Sequence, residues 1–380
     1  MFSTLDPASL ARVVVFGGLA LGLMLGMVGQ STRFCVRGAV ADWVVLRSPG
    51  RMVAWLLAIG VGAVAVQAMI GFGTFDASRT VPWSERLLWA SALVGGTLFG
   101  FGMILAGGCP QRCLVKAGAG SLKAALVLLV AAIASAMTLR GLLAVPRTDL
   151  LDRWGVALGR PQDLGSLFGG WLGMAPHTLR LVLVALLVAG IGLLAWRMRR
   201  GVRRADWVGG VAVGLLLAAA FYLTGGIGFL AEHPETLEPA WLGTQSRRPE
   251  GLSFSAPLAH TLDLLTLWTD KSMTASFGVM LALGVVIGSA VSARLRREVK
   301  IESFRSPREA AEHVAGGLLM GFGGVTAVGC SIGNGVTGLA LLSTGSVLAV
   351  AGIVVGAWLA LRLQQRRSGQ PAAFAAATAA

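Results

Sequence analysis

Charged side chains are scarce in this sequence. Only 13% of its 380 residues are Asp, Glu, Lys or Arg, whereas 55% are hydrophobic and the mean hydropathy is +0.74. A soluble chain of this length needs far more charge to cover its surface. The composition therefore excludes a soluble globular protein and indicates one that lies in a lipid bilayer.

Cysteine and histidine are few as well. The four cysteines are too scattered for a disulfide scaffold. Only Cys109 and Cys113 are near neighbours, and no second pair or adjacent histidine completes a zinc-ligand set. The four histidines lie in or beside predicted loops, without partners at ligand spacing. The sequence predicts neither a metal site nor a cofactor.

Long apolar runs are what the chain has in abundance. Runs of about 17–25 residues, each long enough to cross a bilayer as a helix, recur along it, and the first is read as a membrane span and not as a cleavable signal peptide. We predict an all-α integral membrane protein, one transmembrane domain over residues 1–380. About nine spans are expected, at residues 13–28, 52–70, 87–106, 121–145, 179–196, 207–223, 274–291, 313–328 and 335–361.

Arginine clusters predict the orientation of these spans. The net charge of +14 would suggest nucleic acid in a soluble protein, but here the arginines flank apolar runs and indicate topology and contact with anionic lipid. Clusters at 197–204 and 294–308 are expected in the cytoplasm. The N-terminus and an acidic insert at 225–272 then fall outside, and the C-terminus inside. The loop 139–178 carries four arginines and fits this orientation poorly.

One motif occurs twice. The segment 95–109 reads GGTLFGFGMILAGGC and the segment 316–330 reads GGLLMGFGGVTAVGC, and both end on a glycine and a cysteine. The orientation makes the first copy run inward and the second outward. We therefore predict an inverted repeat with halves 10–145 and 205–365, spans one to four and six to nine, and span five as connector. Inverted repeats that meet at the midplane are typical of transporters.

After each cysteine the chain is too rich in glycine and polar residues for an ordinary loop. The segments 109–120 and 330–335 are predicted to be short re-entrant pieces, which survive at membrane depth only when protein or a cavity surrounds them. Pro110 suits the first turn of a short helix. Helix N-termini that point inward from both sides would favour an anion.

Thiols on such a path favour sulfur over hard ions, because the sulfhydryl is a soft and weak donor. We predict Cys35, Cys109 and Cys330 as pathway residues. Four glycines of the repeated motif have a simpler explanation, the close packing of helices: Gly96, Gly100, Gly317 and Gly321. The glycines next to the cysteines are expected to serve breaks in the backbone. The basic residues beside the cysteines serve either as a positive entrance or as interfacial anchors. The supporting residues are Arg37, Gly108, Pro110, Gln111, Arg112, Cys113, Lys116, Gly329, Ser331 and Asn334.

The chain resembles the YeeE/YedE family of bacterial inner-membrane proteins. The resemblance rests on FCVRGAVAD around Cys35, GFGMILAGGC ending at Cys109, and GGLLMGFGGVTAVGCSIGNGVTG around Cys330. It implies a nine-helix inverted repeat with re-entrant helices, and a thiosulfate importer in which the three cysteines pass the anion on by S–H···S hydrogen bonds. It also implies a bacterial inner-membrane location and a soluble sulfur-carrier partner of the TusA type. The additional Cys113 and the 225–272 insert depart from the family pattern.

Three other functions stay open at this point. A related branch of the family suggests a selenium-containing solute. The thiols would also suit a membrane enzyme that hands persulfide sulfur or electrons to a cytoplasmic acceptor, and a structural subunit would need no reactive cysteine at all. Of these we favour transport over an enzyme, with a small sulfur anion and the lipid bilayer as partners and no nucleic acid.

Overall fold

The computed structural model describes residues 6–270 and 273–368. It is almost entirely helical, which confirms the predicted all-α membrane class; the chain termini and the last two residues of the predicted insert lie outside the described part. Fourteen α-helices are present there: α1 Pro7–Thr32, α2 Val36–Ala41, α3 Gly50–Gly71, α4 Trp89–Leu105, α5 Pro110–Gly118, α6 Leu122–Arg140, α7 Ala144–Pro146, α8 Leu164–Leu172, α9 Pro176–Met198, α10 Arg204–Phe221, α11 Ser255–Thr266, α12 Phe277–Leu295, α13 Pro307–Thr326 and α14 Thr344–Ser368.

Strands are short and peripheral. β1 (Arg86–Leu87) pairs antiparallel with β2 (Val156–Ala157), and β3 (Phe229–Leu230) pairs antiparallel with β4 (Ala240–Trp241). Each strand has two residues, so these pairs tie loops together and form no sheet layer.

Eight helical segments within the described residues are long and apolar enough to cross a membrane. The eighth predicted span, 313–328, falls on α13, which has 20 residues but carries Arg308, Glu309 and Glu312 near its start and does not belong to that set. The count of nine therefore stays a prediction. The eight segments are Pro7–Leu46, Gly50–Gly71, Trp89–Gly118, Leu122–Arg140, Pro176–Gly201, Arg204–Ile227, Phe277–Leu295 and Thr344–Arg366.

Two predicted boundaries are wrong. The last span was expected from residue 335, but Gly333–Gly338 forms a separate π-helical turn and α14 begins only at Thr344. The fourth was expected to reach residue 145, whereas α6 ends at Arg140 because Gly141 adopts an extended backbone. In both places glycines break the helix inside an apolar run, which hydropathy alone does not register.

Glycines set the closest helix pairs. α1 packs parallel to α12, α3 to α10, α4 to α14 and α6 to α13. At Gly96 and Gly100 a side chain would collide with α14 carbonyls, and at Gly317 and Gly321 with α6. The prediction that these four glycines serve helix packing is confirmed.

α4 and α13 carry the repeated motif and cross antiparallel. Gly95 lies against the Gly323 carbonyl, and Gly102 lies against the Gly316 carbonyl. In the alignment of the two copies, Gly95 corresponds to Gly316 and Gly102 to Gly323. Exchanging the two copies therefore turns each of these contacts into the other. The helices that end at Cys109 and Cys330 therefore meet directly and run in opposite directions.

The predicted insert 225–272 is not a free appendage. After β4 the chain enters the protein, where Leu252 and Phe254 are fully buried and the Leu252 carbonyl accepts a hydrogen bond from Thr337 Oγ1 at 2.7 Å. α11 follows; it has 12 residues, too few to span a bilayer. The insert thus contacts the π-helical turn that follows Cys330.

Several arginines in the loop that fitted the orientation poorly are paired with carboxylates. Arg147 lies 3.5 Å from Asp152, and Arg140 pairs with Asp263 of α11. A paired arginine contributes less net positive charge to its loop than the sequence count assumed.

Candidate functional site

The two copies of the motif end in the same backbone turn. At the end of α4 the Gly108 N–H donates to the Met103 carbonyl at 3.1 Å, and at the end of α13 the Gly329 N–H donates to the Gly324 carbonyl at 2.8 Å. The residue before each glycine is left-handed, with φ of 71° at Gly107 and 58° at Val328. This is the usual αL ending of a helix, and it turns the next residue, the cysteine, into the interior.

The three predicted pathway cysteines each open a short helical piece. Cys35 precedes α2, and its sulfur accepts a hydrogen bond from the Gly38 N–H at 3.3 Å. Cys330 accepts one from the Gly333 N–H at the same distance. Cys109 precedes α5, where Pro110 stands at the first position and no side chain caps the helix. The Cys109 thiol is thereby left to interact across the protein.

All four cysteines are unpaired and buried, three of them essentially completely. The Cys109 thiol lies near the Cys35 thiol on one side and near the Ser331 hydroxyl on the other. The Ser331 hydroxyl has no hydrogen-bond partner among the described residues. The fold thus places Cys35, Cys109 and Ser331, the residue after Cys330, close to one another.

Cys113 stands apart from this series. Its thiol donates back to the Gly108 carbonyl at 3.6 Å. Asn334, at the aligned position of the second copy, donates to the Gly329 carbonyl at 2.8 Å and to Ala327 at 3.0 Å. The two residues fasten the turn before each cysteine, which gives Gly108 and Gly329 the same structural role.

A small cavity on the Cys35 side is strongly basic. We call it the basic cavity; it measures about 10 Å³, room for one water molecule. Arg112 Nη1 donates to the Gly29 carbonyl at 3.2 Å and Lys116 Nζ to the Gly107 carbonyl at 3.1 Å, while the Arg37 Nε is buried without a partner. Its lining is Arg33, Cys35, Arg37, Arg51, Gly107, Arg112 and Lys116.

A much larger cavity adjoins the Cys330 side. It measures about 570 Å³, and we call it the large cavity. Gly329 and Gly333, on either side of Cys330, belong to its wall, together with Glu250 and Ser253 of the insert and Arg140 of α6. A space of this size lies in the range of small-molecule sites.

The thiols form a series between the two cavities. The Gly329–Gly333 segment in the wall of the large cavity contains Cys330 and Ser331, the Ser331 side chain lies near Cys109, and Cys109 lies near Cys35 in the wall of the basic cavity. Within the described residues no group of three or more His, Cys, Asp or Glu side chains gathers as a metal site. The series therefore places thiol and hydroxyl groups between an open cavity and a cationic one.

Comparison with known proteins identifies the family of this chain. The sequence model for sulphur transport matches residues 31–359, most of the chain and all three cysteines of the series. The chain belongs to the sulphur transport family.

Several known transporters are similar in sequence to this member of the sulphur transport family. The chain is 27% identical to the thiosulfate transporter TsuA of Escherichia coli K12, over 96% of this chain and 99% of the relative. It is 25% identical to the thiosulfate transporter TsuA of Spirochaeta thermophila, over 91% and 97%. A probable transporter, YedE of E. coli K12, matches over 27% of this chain and 24% of its own, at 27% identity. These are names of transporters and not of enzymes, and we describe this multi-pass membrane protein as a transporter.

The structure of this sulphur transport protein adds residues that its sequence did not single out. Trp55 Nε1 donates to the Gly335 carbonyl at 2.9 Å, and Ser346 Oγ donates to Asn334 Oδ1 at 3.0 Å. Both hydrogen bonds stabilise the π-helical turn after Cys330, and so does the hydrogen bond from Thr337 to the Leu252 carbonyl. Nothing in the local sequence marks Trp55, because its partner is 280 residues away.

Gln111 is a supporting residue whose side-chain amide has no hydrogen-bond partner in the described part of the chain. Its side chain is fully buried in the first turn of α5, next to Cys109, and neither its amide oxygen nor its amide nitrogen has a partner among the described residues. Its Nε2 lies close to Gly29 of α1. Pro110, beside it, starts the helix as predicted.

Proposed function

We propose that this protein imports thiosulfate or a closely related small sulfur anion along Cys330, Cys109 and Cys35. The observation that carries the proposal is the placement of Cys330, Ser331, Cys109 and Cys35 one after another between the large cavity and the basic cavity. The names of the two relatives that align over nearly their whole length support the same substrate.

The chemistry of the series suits a sulfur anion. A thiol donates a weak hydrogen bond to a soft acceptor such as the terminal sulfur of thiosulfate. Conduction needs sites that are favourable enough to admit the anion and weak enough to release it. Successive thiols meet both requirements, whereas a buried arginine in the middle of the series would hold a dianion. The cations instead line the cavity next to Cys35, at one end.

The architecture we propose is an inverted repeat of residues 10–145 and 205–365, with α9 as connector. The packing supports it: exchanging α1 with α10, α3 with α12, α4 with α13 and α6 with α14 turns each of the closest helix pairs into another of them. The antiparallel crossing of α4 and α13 maps onto itself. Such symmetry provides a site that is reached alternately from two sides.

We place the large cavity outside the cell and the basic cavity in the cytoplasm. This follows the arginine clusters at 197–204 and 294–308, which are expected on the cytoplasmic side of a bacterial inner membrane. The N-terminus then lies outside and the C-terminus inside. A soluble sulfur carrier of the TusA type would receive the anion at Cys35, among the cations that line the exit.

The test is uptake of labelled thiosulfate by cells that lack other sulfur importers. Cys109→Ala and Cys330→Ala should abolish uptake while the protein still inserts in the membrane. Cys113→Ala is the matched control, because Cys113 is just as buried but holds a turn and lies outside the series. Full uptake by the Cys109 or the Cys330 variant would rule out the thiol series.

The same assay separates the remaining alternatives. Unlabelled sulfate should compete poorly because it lacks a terminal sulfur, and a selenium analogue that competes better than thiosulfate would change the assigned substrate. A membrane thiol enzyme would leave a covalent sulfur adduct on a cysteine, detectable by intact mass, whereas transport leaves none. A structural subunit would tolerate all four cysteine substitutions.

A further inference from the structure

Glu250 occupies an unexpected place for a carboxylate. It lies on the segment of the insert that enters the protein, and it forms part of the wall of the large cavity. Thr224 Oγ1 fixes its backbone, donating to the Glu250 carbonyl at 2.8 Å and accepting from the Glu250 N–H at 3.1 Å. Among the described residues that line this cavity, Glu250 alone is acidic.

No cation neutralises this carboxylate within the described part of the chain. Its Oε1 accepts the Ser246 N–H at 2.9 Å and the Ser246 hydroxyl at 2.7 Å, and no lysine, arginine or histidine lies within ion-pair distance. The two arginines of the same cavity are engaged elsewhere, Arg140 with Asp263 and Arg147 with Asp152. Burial raises the pKa of Glu250, and the hydrogen bonds from Ser246 offset part of that rise.

The titratable groups that share the wall of the large cavity with Glu250 come from three elements. α6 contributes Arg140, the following segment contributes Arg147, and α11 contributes His260, whose pKa is lowered mainly by burial and by Arg140. The residues from α12, α13 and the turn after Cys330 that line the cavity are uncharged. Glu250 is therefore the acidic group of the cavity wall whose negative charge no described cation neutralises. An ionised Glu250 would repel an incoming anion strongly, because like charges in a partly dehydrated space are poorly screened.

We propose that Glu250 binds a proton when the large cavity binds its anion, so that anion and proton bind cooperatively. The proton comes from the surrounding water and adds to the carboxylate, which becomes a neutral carboxylic acid. The inference deepens the proposed function, on which it rests, by assigning a coupling ion. Because binding linkage is reciprocal, a proton on Glu250 tightens anion binding by the factor by which the anion tightens proton binding.

The experiment is equilibrium binding of labelled thiosulfate to the purified full-length protein, from about pH 5 to about pH 8. Above the pKa of Glu250 the wild-type affinity should fall by about tenfold per pH unit, the slope of one linked proton. Glu250→Gln keeps the acceptor for Ser246 and carries no charge. Its affinity for thiosulfate should stay, across the whole pH range, near the affinity that the wild type has at acidic pH. Glu235→Gln is the matched control, an exposed carboxylate of the same insert, and should keep the wild-type slope.

The outcomes are distinguishable. A wild-type affinity that does not change with pH, or a Glu250→Gln variant that keeps the full slope, overturns the inference. A slope lost in His260→Asn and kept in Glu250→Gln assigns the proton to His260 and also overturns it. Failure of the wild type to bind thiosulfate at any pH instead overturns the proposed function.

A second measurement needs no variant. Thiosulfate added to the wild-type protein in lightly buffered solution, above the pKa of Glu250, should make the protein take up about one proton per bound anion. A pH dye records this directly. Anion binding without proton uptake contradicts the inference even if Glu250→Gln does not fold.

Discussion

The Cys113 thiol and the Asn334 side-chain amide make the same contact in the two copies of the motif. Each reaches back five residues to a glycine carbonyl, Cys113 to Gly108 at 3.6 Å and Asn334 to Gly329 at 2.8 Å. Each thereby closes the turn that precedes a pathway cysteine. Cys113 and Asn334 are thus structurally equivalent although their side chains differ in chemistry. The role of Cys113 is to stabilise the turn before Cys109.

This equivalence predicts that substitutions of Asn334 and Cys113 lower stability by different amounts. Asn334→Ala should lower stability by about 1–3 kcal/mol, because it leaves buried carbonyls of Ala327 and Gly329 without a side-chain donor. Cys113→Ser should cost less than that and retain uptake, because the hydroxyl still donates to Gly108. Thermal unfolding in detergent measures the first effect and uptake the second. Loss of uptake by a folded Cys113→Ser protein would return Cys113 to the pathway.

Close packing of α4 against α14 predicts a severe effect at Gly100. A methyl group there would overlap the Ile353 carbonyl, so Gly100→Ala should force the two helices apart and sharply reduce the yield of folded protein. The control is Gly190→Ala on α9, where nothing lies within 4 Å of the added carbon and stability should be unchanged or raised. Size-exclusion profiles of the two variants provide the comparison, and equal profiles would contradict the packing.

The left-handed residues Gly107 and Val328 predict opposite outcomes. A left-handed conformation costs a residue with a side chain about 1–2 kcal/mol, which glycine avoids while losing more chain entropy. Val328→Gly should therefore raise stability by up to about 1 kcal/mol, and Gly107→Val should lower it by at least as much. Melting temperatures test both, and a destabilised Val328→Gly protein would show that the side chain of Val328 matters more than its backbone.

The proposed orientation is tested by cysteine labelling. The four native cysteines are buried, so an added one should report alone. Glu235→Cys should react with a membrane-impermeant maleimide in intact cells, and Arg199→Cys only after the membrane is opened. The reverse pattern would invert the topology, and with it the assignment of the two cavities.

The charges in the loop 139–178 show why counting arginines along the sequence is insufficient. Arg147 lies beside Asp152, and Arg140 reaches Asp263 of a helix more than a hundred residues away. The count of charges treated each arginine as independent. Pairing over that separation depends on how the helices pack and could not be counted in advance.

The π-helical turn after Cys330 is the second place where local patterns were insufficient. The apolar run from residue 335 predicted a continuous span, yet residues 333–338 form a separate turn. Trp55 of α3 donates a hydrogen bond to this turn, and Thr337 of the turn donates one to the insert. Neither contact has a signal near the motif. The insert was expected on the outer side of the membrane, and its position against this turn emerged only from the packing.

Sequence alone determined the membrane class, the approximate positions of the spans, the duplicated motif and its cysteines, and the family resemblance. These follow from hydropathy, from residue identity and from glycine spacing, which are local properties of a chain. Only the tertiary structure decided that Cys35 meets Cys109, that Cys113 faces a carbonyl, and that Glu250 enters the wall of the large cavity. Those facts depend on side chains far apart in sequence that helix packing brings into contact, and no local pattern encodes such a distance.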